Sequence, residues 1–222
     1  MKKILLAIIA VYIGITAPYK LYAIDISVGA ATYYAWTNRH VDGFSREKLG
    51  SALLYGPALS AKMNADFNLT FVYLYGEYDS LDRRDGDLAL NYRLNNYFKV
   101  FAGIKYMGHT EALKQHNALG PGLGLSATVP VANDVFLLAT LSGLYLWGNE
   151  KYDDSIVNEK EGFNEYGING TLSLAYYIAP ASTVISLGGR SQYYKTVYKK
   201  DSFNYKIACY GVTLSATYTF SF

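Results

Sequence analysis

Nothing narrows the folds open to this chain more than its C-terminal stretch, GVTLSATYTFSF, in which apolar and small polar side chains take turns to the end. Val212, Leu214, Ala216, Tyr218, Phe220 and Phe222 fall on one parity, while Thr213, Ser215, Thr217, Thr219 and Ser221 fall on the other. A period of two is an extended strand with two unlike faces. In a soluble protein the apolar face would meet a core. In a barrel that crosses a membrane the apolar face meets lipid and the polar face a lumen.

The opposite end reads differently. MKKILLAIIAVYIGITAPYKLYA carries two lysines, an apolar run from Ile4 to Ile15 and a small residue, Ala23, at its close. That layout predicts a secretory signal peptide over residues 1–23, with residues 24–222 as one exported domain. The apolar run falls well short of the roughly 20 residues of a membrane-spanning helix. No Cys follows the expected cut, so a lipid-anchored start is not expected. Past this segment no apolar run is long enough for a spanning helix, yet 51% of the chain is hydrophobic and 23 residues are Tyr. The single Cys, Cys209, excludes an internal disulfide, and a net charge of +2 gives no electrostatic basis for binding nucleic acid.

The alternating pattern recurs along the chain, and short polar breaks alternate with long ones. The short breaks fall at 64–66, 95–96, 132–134 and 179–181, all in residues suited to tight turns. The long ones run roughly over 38–49, 79–85, 109–117, 148–163 and 196–203. Four turns and five loops predict ten strands, with an eight-stranded reading left if one hairpin is misjudged. Both ends of the chain then share the tight-turn side. The fold class expected is all-β, an antiparallel up-and-down barrel.

Along one parity the strands carry Leu, Ile, Val and Ala in the middle and aromatics at both ends. Trp36, Tyr55, Tyr75, Tyr106, Trp147 and Tyr166 lie near the long-loop end, and Tyr218, Phe220 and Phe222 near the tight-turn end. Two such belts are the girdles by which amphipathic rings settle at membrane interfaces. On these residues the chain resembles the bacterial outer-membrane β-barrels as a class. The resemblance implies a cell outer membrane location in a Gram-negative bacterium, with both mature termini periplasmic. It also implies a C-terminal strand read by the barrel-assembly machinery, and outer-membrane lipid as the surrounding partner.

The other parity should line the lumen, and it is mostly Gly, Ala, Ser, Thr and Asn. Lys62, Arg93, Lys99, Lys105 and Arg190 share it with Asp25, Asp87 and Glu165. Two arrangements follow: a narrow wet passage lined by these charges, or cations reaching across to pair with the acids. Toward the loop side the same parity turns apolar at Leu54, Leu74, Leu144 and Leu146. These predict a dry plug at the mouth, or a pocket for an apolar molecule. Pro57 and Pro121 interrupt strands and predict β-bulges.

Residues for chemistry are few. His40 lies in the first long break, and His109 and His116 in the third. The ten-strand count is similar to that of the omptin proteases, whose acidic residues and histidine stand on facing walls of the mouth. Here Asp79, Asp82, Asp85 and Asp87 cluster in one break, but the acidic fourth break has no His, and no enzyme is expected. No cofactor or metal set is legible, and the spacing of Glu150, Asp153, Asp154, Glu159 and Glu161 does not match a calcium loop. The expected function is a narrow, porin-like passive channel for small solutes. The alternatives are a non-conducting structural or adhesive cell-surface barrel, whose loops meet a host ligand, and a transporter of small apolar molecules.

Overall fold

The structure, a computed structural model, describes residues 25–41, 46–78, 81–111, 114–152, 160–199 and 204–221; the expected signal segment and Phe222 lie outside them. Ten strands follow in order: β1 (Asp25–Val41), β2 (Arg46–Lys62), β3 (Phe67–Tyr78), β4 (Leu81–Arg93), β5 (Phe98–Glu111), β6 (Lys114–Ala132), β7 (Val135–Tyr152), β8 (Lys160–Ile178), β9 (Thr183–Tyr198) and β10 (Tyr205–Ser221). Each pairs antiparallel with its neighbours in sequence, and β1 pairs with β10, so the barrel is closed and has no free edge. The ten-strand count is therefore the right one, and the eight-strand alternative falls.

Local chemistry makes the tight turns. The side-chain carbonyl of Asn64 accepts from the amides of Asp66 and Phe67, both at 2.8 Å. Asn95 repeats the device with Tyr97 and Phe98 at 2.8 and 2.9 Å. Asp134 turns the β6–β7 hairpin with φ 59°, and Ser182 closes the β8–β9 turn with φ 44° after a single 3-10 turn over Ala179–Ala181. Short polar side chains tolerate this left-handed backbone better than most.

The outward parity holds as expected. Leu123, Leu141, Ile168 and Leu187 are each more than half exposed, which only a hydrocarbon surround makes favourable. Trp36, Tyr55, Trp147, Tyr166, Tyr218 and Phe220 are exposed, and Tyr75 and Tyr106 partly so. Tyr34 meets Trp36 edge-on at 5.0 Å, and Trp36 stacks on Tyr210 at 5.9 Å, giving the upper belt aromatic contacts across the β1–β10 seam.

Two expectations need correction. The long breaks are mostly strand: β6 and β8 each run 19 residues, although about 9–11 residues suffice to cross a bilayer. The surplus lies beyond the upper aromatic belt, so the wall continues above the membrane as a rim, lowest at β3 and β4 with 12 and 13 residues. Polar residues on both faces of that rim made it look like loop. Pro57 and Pro121 do not form bulges. The β2–β3 ladder breaks at Pro57 but resumes in the same register, as does β6–β7 at Pro121, because a missing amide removes a bond without adding a residue. The register shifts lie instead at Thr37/Asn38 and at Pro130/Ala132.

Candidate functional site

The lumen is built in three levels. At the turn side small residues leave a polar cavity of about 410 Å³, bordered by Asp25, Lys62, Asp66, Asn91, Arg93 and Lys99. Lys62 meets Asp25 at 3.3 Å and Arg93 meets Asp66 at 3.5 Å, all four side chains in reach of water. Paired hydroxyls line the wall around and above this cavity, with Ser27 to Thr219 at 2.9 Å and Ser186 to Ser215 at 2.7 Å.

The middle level holds two clusters of buried side chains. Tyr33, Leu54, Leu74 and Tyr78 form one buried apolar cluster, and Met107, Leu144, Leu146, Phe163 and Tyr194 form another. The four leucines expected at the mouth are thus buried, Leu54 and Leu74 in the first cluster and Leu144 and Leu146 in the second. Against these clusters lies a charge network from β4, β5 and β9, buried except at Asp87, whose side chain is 41% exposed. Lys105 bonds Asp85, and Asp87 at 2.8 Å; Arg190 reaches Asp85 at 3.3 Å and Asp87 at 3.5 Å. Arg83 donates to Gln192 at 2.7 Å, and Gln192 donates to Asp85 at 3.1 Å. Arg190 also donates to Asn169 at 3.1 Å and covers the Tyr33 ring at 5.2 Å. Desolvating so many charges is tolerable only when each finds partners. Cys209, expected as packing, also accepts hydrogen bonds from Arg83 and Thr37.

The sequence-picked cations therefore separate into two groups. Lys105 and Arg190 are buried and committed to acids of the network; Lys62, Arg93 and Lys99 border the lower cavity. Glu165 joins neither group. It is fully buried in the third level, where its Oε1 accepts from Thr196 at 2.9 Å. Asp85, Arg83 and Gln192 were missed as a set, although Asp85 shares the parity of Asp87, which would have extended β4 through Asp85 and Arg83.

The third level lies above the upper aromatic belt, beyond the membrane-spanning part of the strands. His109, His116 and Glu150 stand side by side in register on β5, β6 and β7. The two imidazoles stack at 4.3 Å, and Phe163 stacks on the far face of His116 at 4.1 Å. His116 Nδ1 lies 3.3 Å from Glu150 Oε1 and 3.2 Å from the Tyr205 hydroxyl. Its Nε2 lies 3.8 Å from Glu165 Oε2, and neither of those two buried atoms has a hydrogen-bond partner among the described residues. Lys114 reaches Glu150 at 2.9 Å. Burial disfavours the Glu150 carboxylate, but the hydrogen bond to His116 and the charge of Lys114 outweigh it and hold the group down to about 2. Burial, with His116 and Lys114 nearby, holds His109 well below the ordinary imidazole range. The donor atoms of His109, His116 and Glu150 lie within 4.8 Å of one another, so this trio could hold a metal ion.

No protein-family model matches the chain, and no curated protein matches it in sequence. Solved structures do resemble it. The outer-membrane protease OmpT of Escherichia coli aligns at TM-score 0.51 and 10% identity, over 92% of this chain and 99% of that one. Ail, the attachment invasion locus protein of Yersinia pestis, aligns at 0.41 and 13% identity over 87% and 98%. Neisserial surface protein A aligns at 0.42 and 12% over 88% and 97%. At these identities the likeness to OmpT is one of fold alone. With the lipid-facing parity and the closed ladder it makes this chain an integral outer-membrane β-barrel.

Proposed function

We propose that this outer-membrane barrel is sealed along its axis and serves as a non-conducting surface protein, presenting a rim built of strands to the outside. One observation carries this reading: two clusters of buried side chains occupy the inward parity of the middle level. Tyr33, Leu54 and Leu146 are wholly inaccessible, and the charge network around Asp85 ties β4, β5 and β9 together beside them. A solute entering the lower cavity would meet these side chains before reaching the rim. A rim held by ladder hydrogen bonds is a more rigid display than free loops, which suits contact with a surface ligand. The lower cavity, with Lys62, Arg93 and Lys99 on its border, is the one feature that favours the channel reading. What supports a non-enzymatic role is that Asp85 and Asp87 are engaged by Lys105 and Arg190, while His116 is buried.

Single-channel recording in a planar bilayer tests the proposal. The folded barrel should insert without discrete current. Steady conductance whose ion preference changes in Arg190→Glu would overturn it and restore the channel. An N-terminus accessible only from the periplasm, with residues 1–23 absent from the purified protein, is the expected processing.

A further inference from the structure

We infer that the third level is a binding site for a first-row divalent cation, zinc by its donor chemistry, held by His109, His116 and Glu150, with Glu165 positioning His116. This goes beyond a sealed surface barrel and would hold equally if the barrel conducted.

The donor set is two imidazoles and one carboxylate, the combination that suits zinc and its neighbours better than calcium or magnesium. The three residues occupy adjacent strands in direct register, so the β-ladder fixes their Cα positions with the donor atoms within 4.8 Å of one another. Tetrahedral donors about 2.0–2.2 Å from a metal lie roughly 3.4 Å apart. His116 Nδ1 and Glu150 Oε1, at 3.3 Å, already meet that spacing. The His109 donor lies within 4.8 Å of the other two and closes the rest by a side-chain rotation that gives up its stack on His116, with its partial exposure on the rim leaving room to turn.

The independent observation is the orphaned pair. His116 Nε2 and Glu165 Oε2 are buried, face each other at 3.8 Å and have no hydrogen-bond partner among the described residues. Buried polar atoms seldom go unpaired. A cation on Nδ1 resolves both at once. It displaces any proton from that nitrogen, fixes the remaining one on Nε2, and draws the ring's N–H toward Glu165. A carboxylate behind a metal-bound imidazole is the usual outer partner of such ligands. The charges at the site are mixed: Glu150 and Glu165 are buried carboxylates, Lys114 meets Glu150 at 2.9 Å, and Arg39 and Arg83 lie near His109. Lys114 is partly exposed and can swing to water when a dication takes Glu150. Tyr198, Tyr205 and Thr196 add hydroxyls that donate to or pair with the same acids and imidazole, and Arg39, Arg83 and Arg84 border the space beside His109.

The test uses the full chain expressed without a polyhistidine tag, purified folded from membranes, stripped with chelator and titrated with zinc chloride by calorimetry. Saturation at one ion per barrel is expected. His109→Asn should weaken binding at least tenfold, His116→Asn should abolish it, and Glu165→Gln should weaken it about 10–100-fold through the ring alone. His40→Asn, on the outward parity of the same rim, should change nothing. Folding of each variant is read from the heat-dependent gel shift. If His116→Asn does not fold, the half-buried His109 carries the test. A second readout is the unfolding temperature, which zinc should raise in the parent and not in His109→Asn. Absence of saturable binding, or binding that survives His109→Asn or vanishes in His40→Asn, would overturn the site. The cluster would then be an imidazolium bridging two carboxylates.

Discussion

The two ends of one lumen obey the same parity rule and reach opposite results. At the turn side the inward positions are Ser, Thr, Asn and a few long cations, and a cavity of about 410 Å³ is left between them. Toward the rim the same positions carry Leu, Tyr, Phe, Asp, Arg and Gln, and most of these side chains are buried. The outer face is similar at both levels, since lipid asks only that it be apolar with aromatic belts. Strand count sets how much interior a barrel has; side-chain volume decides how it is used. The lower half is bounded by residues that do not need one another, whereas the upper half consists of residues that do.

That dependence gives the largest expected effect. Asp85 is the acid on which Lys105, Arg190 and Gln192 converge, and it is 1% exposed. Asp85→Ala would remove the acid that Arg83 meets at 3.7 Å and leave Lys105 and Arg190 to share Asp87; breaking a buried ion pair costs on the order of 3–5 kcal/mol. Urea unfolding in detergent micelles, followed by the gel shift, measures it. A loss below about 1 kcal/mol would mean that water reaches the network and that the two halves are alike.

Next comes the apolar cluster around Leu54. Leu54 is wholly buried between Tyr33 and Leu74, and Leu54→Ala should cost roughly 2–5 kcal/mol in the same assay. The opposite substitution sharpens the contrast from below. Ser60 borders the lower cavity, so Ser60→Leu should cost less than about 1 kcal/mol, where the same insertion into a close-packed interior costs about 1–3. If Ser60→Leu proves as damaging as Leu54→Ala, the cavity is not space that a side chain can occupy.

Much of this fold was legible because lipid imposes a simple code. Leu123, Leu125, Leu172 and Leu174 could stand on one parity only if that face met hydrocarbon, and the Asn turns at 64 and 95 announced their hairpins by side-chain chemistry. Above the membrane the code lapses, since both faces of a strand can be polar there. His109, His116 and Glu150 therefore read as loop residues, although they sit on ladders. Pairing was illegible for a different reason. Arg83 and Gln192 are 109 residues apart, and which cation crosses the lumen to which acid depends on barrel radius and side-chain reach, neither of which a period of two encodes. Pro57 misled because proline predicts a lost hydrogen bond; whether a residue is also inserted depends on the neighbouring strand.

The smallest effect lies at the bottom of the barrel. Arg93 and Asp66 approach to 3.5 Å with side chains 42% and 53% exposed, beside the turn at Asn64. In water their attraction is weak, and holding a long side chain in one geometry costs entropy, so Arg93→Ala should change stability by about 0–1 kcal/mol. That small number makes it a useful control for Asp85→Ala, because each variant removes one partner of an inward-facing ion pair and only burial differs. Added salt should separate them further: at 1 M the Debye length is about 3 Å, which erases the Arg93 contribution and leaves the Asp85 contribution nearly intact. Equal sensitivity to salt would mean that solvent runs the length of the lumen, and the sealed barrel would have to be given up.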